Sequence, residues 1–240
     1  MGDAITKPKL LLVEGQDEVH FFGQLLADLD IVDVEIRDIM GKTKFRKRLK
    51  GLPDITGFGN VSSVGIVVDA DNKPKGTFDS ISDALDVSGF PKPIASLQPI
   101  GDDLQVTVMV LPGDGRKGML EDLCLESVAD DPAILCVEDY FQCLEEEFES
   151  RMLPENPSKS RVRAFLASMG WLEESHFEYF QEHLEEHLHK LPHAPSVSKV
   201  QAFLATRYKP DLDLGIAAQK GYWQLNHPAF DGVKQFLKML

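Results

Sequence analysis

Two short apolar runs that stop at carboxylates constrain this chain more than any other feature. Leu10-Leu11-Leu12-Val13 ends in Glu14-Gly15, and Val64-Gly65-Ile66-Val67-Val68 ends in Asp69-Ala70-Asp71. Both runs are short and free of polar residues, as strands buried on both faces of a sheet are. A helical spacing follows the first run: Val19, Phe21, Phe22, Leu25, Leu26 and Leu29. Residues 34–39 alternate as a second strand. Gly41 opens a basic stretch in which Phe45, Leu49 and Leu52 mark one apolar helix side. After the second run, residues 77–87 read as a helix with Phe78, Ile81, Ala84 and Leu85 inward. Gln105 to Leu111 alternates as another strand, and Gly101-Asp102-Asp103 before it suits a hairpin turn. Strands alternating with helices predict an α/β fold, a mainly parallel sheet with helices on both faces.

The pattern changes after about residue 130. Pro132 suits the first turn of a helix running to about Ser150. Beyond it the sequence reads as helices and loops, so the expected division is an α/β domain over 1–130 and a helical C-terminal domain over 131–240. Residues 154–168 and 192–206 share Pro-x-x-Pro-Ser-x-Ser-x-Val-x-Ala-Phe-Leu-Ala, identical at nine of fifteen positions. That likeness favours a duplicated helical unit over two helices that merely share a start signal, and two copies do not make a solenoid.

Composition narrows the class. The net charge of −14 argues against a protein that coats nucleic acid through its overall field. It leaves room for phosphate chemistry at a cation, which reverses the local sign. The positive charge is concentrated: Lys42, Lys44, Arg46, Lys47, Arg48 and Lys50 fall within nine positions. Cys124, Cys136 and Cys143 cannot all pair with one another and match no zinc spacing, which fits reduced thiols of a cytoplasmic protein. No apolar run approaches the roughly 18 residues of a membrane span, and no secretory leader is legible. Met1-Gly2 through Thr6 meets the loose myristoylation pattern and is read as an ordinary start.

The carboxylates carry the chemistry. In an open parallel sheet, ligands bind beyond the carboxyl ends of the strands. Glu14 lies at one such end and Asp69 at another. Alternation along an extended chain predicts that Asp69 and Asp71 face one point. Glu18 falls one helical turn from Glu14. Such acids repel unless a cation neutralises them. Magnesium, with manganese as substitute, prefers hard oxygen ligands and keeps waters that phosphates replace.

Val13-Glu14-Gly15-Gln16-Asp17-Glu18 followed by Val67-Val68-Asp69-Ala70-Asp71 resembles the TOPRIM domain. That domain occurs in topoisomerases, primases, recombination mediators and overcoming-lysogenization-defect nucleases. The resemblance covers roughly residues 7–130. The whole chain is also similar to a bacterial family of TOPRIM-like proteins, through Leu111-Pro112, Gly118-Met119-Leu120-Glu121, Ala217 to Trp223 and His227-Pro228-Ala229-Phe230. It implies a TOPRIM-like Rossmannoid sheet. Glu14 then matches the general acid or base, Asp69 and Asp71 the metal-binding pair, and Glu18 the second acid of the nuclease branch. No topoisomerase tyrosine context, primase zinc module or P-loop accompanies these motifs.

Other residues have two readings each. The basic stretch can position a phosphate backbone or form a solvated face. Arg116 and Lys117 follow another strand end, where they can contact a phosphate or simply occupy a loop. Glu121 opens an apparent helix, as a metal ligand or as a favourable charge at its N-terminus. His183, His187, His189 and His193 suit an exposed helix better than a zinc site. Tyr222, Trp223 and His227 suit aromatic packing better than base stacking. The preferred reading is a magnesium-dependent phosphodiesterase or nuclease acting on nucleic acid or a nucleotide, with water as nucleophile. The alternative is a non-catalytic nucleotide- or protein-binding module of a larger DNA-repair or phage-defence system. A third is a degenerate structural domain without cation affinity.

Overall fold

A computed structural model describes residues 4–39, 41–147, 156–169 and 214–240. The buried runs become strands β1 (Lys9–Val13) and β3 (Ser63–Asp69), joined by β2 (Val34–Asp38) and β4 (Gln105–Leu111). All pair in parallel, in the order β2-β1-β3-β4. Parallel neighbours need crossovers. Helices α1 (Gln16–Asp28), α2 (Lys42–Gly51) and α3 (Pro74–Val87) supply them. The α/β reading thus holds. Helix α3 starts earlier than its apolar spacing suggests, because Pro74 takes the first-turn position where its missing N–H costs nothing. The Gly101 turn returns the chain so that Ile100 and Val106 exchange both backbone hydrogen bonds, antiparallel, along the outer edge of β4.

Strand alternation gives the sheet two buried faces. Leu10, Leu12, Val64, Ile66, Val68, Val106 and Val108 share one face with Phe45 and Leu49 of α2 and Ile81 and Leu85 of α3. The opposite face belongs to α1 and to the end of the chain. Helices α4 (Leu120–Ser127), α5 (Pro132–Glu147), α6 (Pro157–Ser168), α7 (Leu214–Gln219) and α8 (Asp231–Met239) complete the eight among the described residues. Gly215 of α7 lies so close to His20 and Phe21 of α1 that no side chain fits between. Phe21 meets Phe230 at 5.6 Å. Trp223 is buried and donates from its indole nitrogen to the Leu214 carbonyl, so it serves packing. Phe236 and Leu240 press on the sheet at Gly65.

Two compact units result. The described residues through Leu123 form one with residues 214–240, and the described residues from Cys124 to Met169 belong to the second. The expected division grouped 131–240; the packing instead returns 214–240 to the sheet, whose second face would otherwise lie open. In the second unit, Asn156 caps α6 by accepting from the Lys159 amide at 3.0 Å. Arg161 reaches Glu138 at 3.0 Å and lies 4.5 Å over the Phe141 ring, binding α6 to α5. The second copy of the repeat and the histidine-rich segment lie outside the described residues. No described helix is long and apolar enough to cross a membrane.

A Cβ built on Gly65 would stand 2.5 Å from Leu240 Cδ2 and 2.9 Å from Phe236 Cζ. Gly65→Val should therefore lower the unfolding free energy by about 1–3 kcal/mol, the cost of overpacking. Combining it with Leu240→Ala should recover part of that loss in urea titrations.

Candidate functional site

The strand order changes direction between β1 and β3: the chain leaves β1 outward to β2, then returns across it to build β3 and β4. Ligand crevices form outside the carboxyl ends of strands at such a switch point. Glu14 follows β1 and Asp69 ends β3, so both border this crevice. They are joined directly. The Asp69 amide donates to Glu14 Oε1 at 2.8 Å. Asp69 Oδ1 in turn accepts from the Leu120 amide at 3.0 Å, at the start of α4.

The approach to α4 is fixed by three further contacts. Asp71 and Gly118 exchange both backbone hydrogen bonds, at 2.9 and 2.8 Å. The Met119 amide donates to Asp122 Oδ2 at 2.7 Å, which secures an N–H that the first turn leaves unpaired. Gly118 has a φ of 130°, and any Cβ there would run into the Asp122 carboxylate. Glu121, in that first turn, is carried inward and is only 7% exposed. Asp122 was not singled out from the sequence. Its signal is the three-residue step from Met119, the spacing at which a side chain reaches back over a helix start.

Glu14, Glu18, Asp69 and Glu121 therefore share one region, and their charges act on one another. Asp69 is 7% exposed. Burial first, then repulsion from Glu121, Glu14 and Glu18, holds its carboxyl well above the usual carboxylate range, against the opposing pull of the Leu120 amide. Burial also raises Glu18, opposed by its own backbone amide and reinforced by Glu121, Asp17 and Glu14. Asp71 differs from its expected place. Strand β3 stops at Asp69, and Asp71 has a left-handed backbone with φ 50° and an exposed side chain. The alternation that was to aim both aspartates at one point ends before it reaches the second.

The donor set has the chemistry of a hard-cation site, because clustered carboxylates are stabilised by positive charge. Among the described residues, however, no group of three or more His, Cys, Asp or Glu side chains stands in metal-holding geometry. Glu14 and Asp69 each direct an oxygen to a backbone amide instead. One amide does not exhaust a carboxylate, which has about four acceptor positions.

The cations lie to one side. Gly41 donates to the Glu14 carbonyl at 2.9 Å, so α2 begins next to the acids. Lys44, Arg46, Lys47 and Arg48 are exposed along it, while the Lys42 side chain lies outside the described residues. Lys44, Lys47 and Arg48 line an open cleft of about 970 Å³ against β2, whose other wall includes Glu35, Arg37 and Asp38. Arg116 and Lys117 are exposed in the loop after β4.

Fold and site together define a parallel α/β domain with an acidic carboxyl edge at its switch point. The chain belongs to the family described as protein of unknown function (DUF3226), matched over residues 8–193. No curated protein matches it in sequence. Among solved structures it is similar to the C-terminal region of the OLD protein of Xanthomonas campestris pv. campestris, at 15% identity and a TM-score of 0.35 over 84% of this chain and 94% of that one. It is also similar to the C-terminal region of the Burkholderia pseudomallei OLD protein, at 12% identity and a TM-score of 0.35 over 91% and 100%.

A carboxyl raised in the folded state contributes stability below its unfolded pKa and loses it as pH rises through the folded value. The stability that Asp69 contributes at low pH is thus lost as pH rises through its raised folded value. Asp69→Asn keeps an acceptor for the Leu120 amide and should raise the unfolding midpoint at pH 7.5 in chelator, by about 2–4 °C per kcal/mol relieved. The gain should vanish near pH 4, where ordinary aspartate protonates. Scanning calorimetry at both pH values checks this.

Proposed function

We propose that the acidic edge holds a divalent cation, magnesium or manganese, and that the chain cleaves or transfers a phosphodiester of nucleic acid or a nucleotide. One observation carries the reading: Asp69 is buried at the switch point among three other acids that repel its charge. Proteins do not keep such a cluster for stability. Glu14, Glu18, Asp69 and Glu121 would hold the ion, with Asp71 at the exposed rim. Once bound, the ion supplies positive charge against the oxygens of a phosphoryl group. Glu14, half-buried at the crevice, is placed to take or return a proton. Water is the nucleophile in this reading. The exposed cations of α2 and the Arg116-Lys117 loop orient phosphates by charge. The motif resemblance to TOPRIM nucleases supports the same assignment.

A second reading is a non-catalytic module that binds a nucleotide or a protein. It is favoured by the engagement of Glu14 and Asp69 with backbone amides. Turnover separates the two. With manganese or magnesium, the chain should cleave DNA, RNA or a dinucleotide. Glu14→Gln and Asp69→Asn should each reduce kcat by about 100-fold or more without lowering the unfolding midpoint. Calorimetric manganese binding with no cleavage of any of these selects the module. No manganese affinity overturns the cation site and, with no nucleotide or protein bound, leaves a structural domain.

The basic helix has its own test. Charge reversal at Lys44, Lys47 and Arg48 should weaken binding to a labelled DNA duplex. The slope of log affinity against log salt should fall by about 0.9 for each phosphate that is no longer neutralised. Fluorescence polarisation across a salt series reads both.

A further inference from the structure

A second feature of the carboxyl edge is a niche of about 340 Å³ between α3 and the loop after β4. Its walls are Phe78, Leu97 and Val110, and Lys75 and Asp114 stand at its rim. Val110 pairs with Val68, the residue before Asp69; Val68 and Val110 face α3 while alternation turns Asp69 to the α1 side, so a ligand in the niche would reach the acids over the carboxyl edge of the sheet. The first turn of α3 is pinned there too: Thr77 Oγ1 donates to the Ala70 carbonyl at 3.3 Å.

The backbone around the niche is strained. Leu97 has φ 60° and Asp114 has φ 52°. With Asp71, these are three of the four described non-glycine residues in the left-handed region. The fourth, Asp30, closes the end of α1, a common place for such a residue. A left-handed leucine is disfavoured by its Cβ and persists only where its surroundings hold it. Here the Leu97 amide donates to the Val108 carbonyl at 2.9 Å, and Ser96 Oγ donates to the same oxygen at 3.1 Å. The strained turn sets the leucine as a wall of the niche. Strain of this kind clusters at ligand sites.

We propose that the niche receives the base of a nucleotide whose phosphate lies at the acidic edge. This inference rests on the phosphodiester reading above. The volume is at the small end of ligand sites and fits one flat base. The walls are uncharged and apolar, and Phe78 adds a ring. Opposite charges at the rim, Lys75 and Asp114, leave no net field, which suits a neutral base. The cations for the phosphate, Arg116 and Lys117, follow Asp114 closely in the same loop. The Ser96 hydroxyl gives its one proton to a carbonyl and the other walls are apolar, so the walls stack on a base and donate no hydrogen bond to its edge. Adenine, guanine, cytosine and uracil are accepted alike.

The test compares adenosine monophosphate with ribose 5-phosphate, which lacks the base, on the full chain in manganese. Manganese alone is titrated first. Adenosine monophosphate should bind about tenfold tighter or more, the contribution of stacking one base. In magnesium, which is diamagnetic, the methyl resonances of Leu97 and Val110 should shift with adenosine monophosphate and not with ribose 5-phosphate. Phe78→Ala and Leu97→Gly, the latter also relieving the backbone, should each bring adenosine monophosphate down to the ribose 5-phosphate level. Ribose 5-phosphate binding should not change. Equal affinity of the two compounds in the wild type, or an advantage that survives both variants, overturns the niche and leaves the acidic-edge reading standing. A fivefold or greater preference among the four mononucleotides overturns the stacking account. Absence of manganese binding together with absence of binding by either compound overturns both the niche and the reading beneath it.

Discussion

The carboxyl edge depends on one hydrogen bond, from the amide of Asp69 to the carboxylate of Glu14. It closes the gap between β1 and β3 at the point where the sheet reverses its direction of growth. A carboxylate accepting from a backbone amide is a strong, charge-assisted contact. The same device repeats one step on, where Asp69 accepts from Leu120 and fixes the start of α4. Two acids thus act as structural ties between three segments distant in sequence. Each tie brings a negative charge nearer to the next, and the inward turn of Glu121 adds another. The edge is held together by its backbone and pushed apart by its side chains. That opposition costs the fold stability.

Much of this was legible in the sequence because burial leaves a plain record. Strands β1 and β3 are covered on both faces, so their apolar runs are unbroken and the carboxylates after them stand out. Strand β4 and the apolar sides of α1 and α2 were equally clear. The position of Asp71 was not, because alternation is a rule for extended chain and the chain bends at Ala70 into a left-handed residue. Glu121 gave no sign of its depth, since a glutamate in the first turn of a helix is ordinary on any surface. Its burial follows from Gly118 and Asp122, which set the angle at which α4 enters. The division of the chain was read from where strands stop. Contact between α1 and α7 depends on Gly215, and a small residue carries no periodic signal.

Charge is sorted unevenly across the fold. The chain is acidic overall, yet α2 presents its cations in a row that starts beside Glu14 and runs away from it. An acidic body repels a polyanion at a distance, and a local basic row attracts it at close range. The opening of the crevice, the start of the cation row and the loop carrying Arg116 and Lys117 all lie at the carboxyl ends of the strands.

Gly65 shows how the sheet domain is written in the chain. The bare backbone at the centre of β3 is a socket, and what fills it, Phe236 and Leu240, comes from the far side of a whole intervening unit. The domain is discontinuous: its sheet and half of its cover are encoded apart. A stop codon or frameshift between residues 124 and 213 would spare every described strand and the acids of the carboxyl edge and still strip the cover from one face. The exposed surface would include Phe21 and the centre of a four-stranded sheet, a sticky invitation to aggregation. Genetic damage far downstream of the acids would thus cost the sheet its cover while leaving the acids intact.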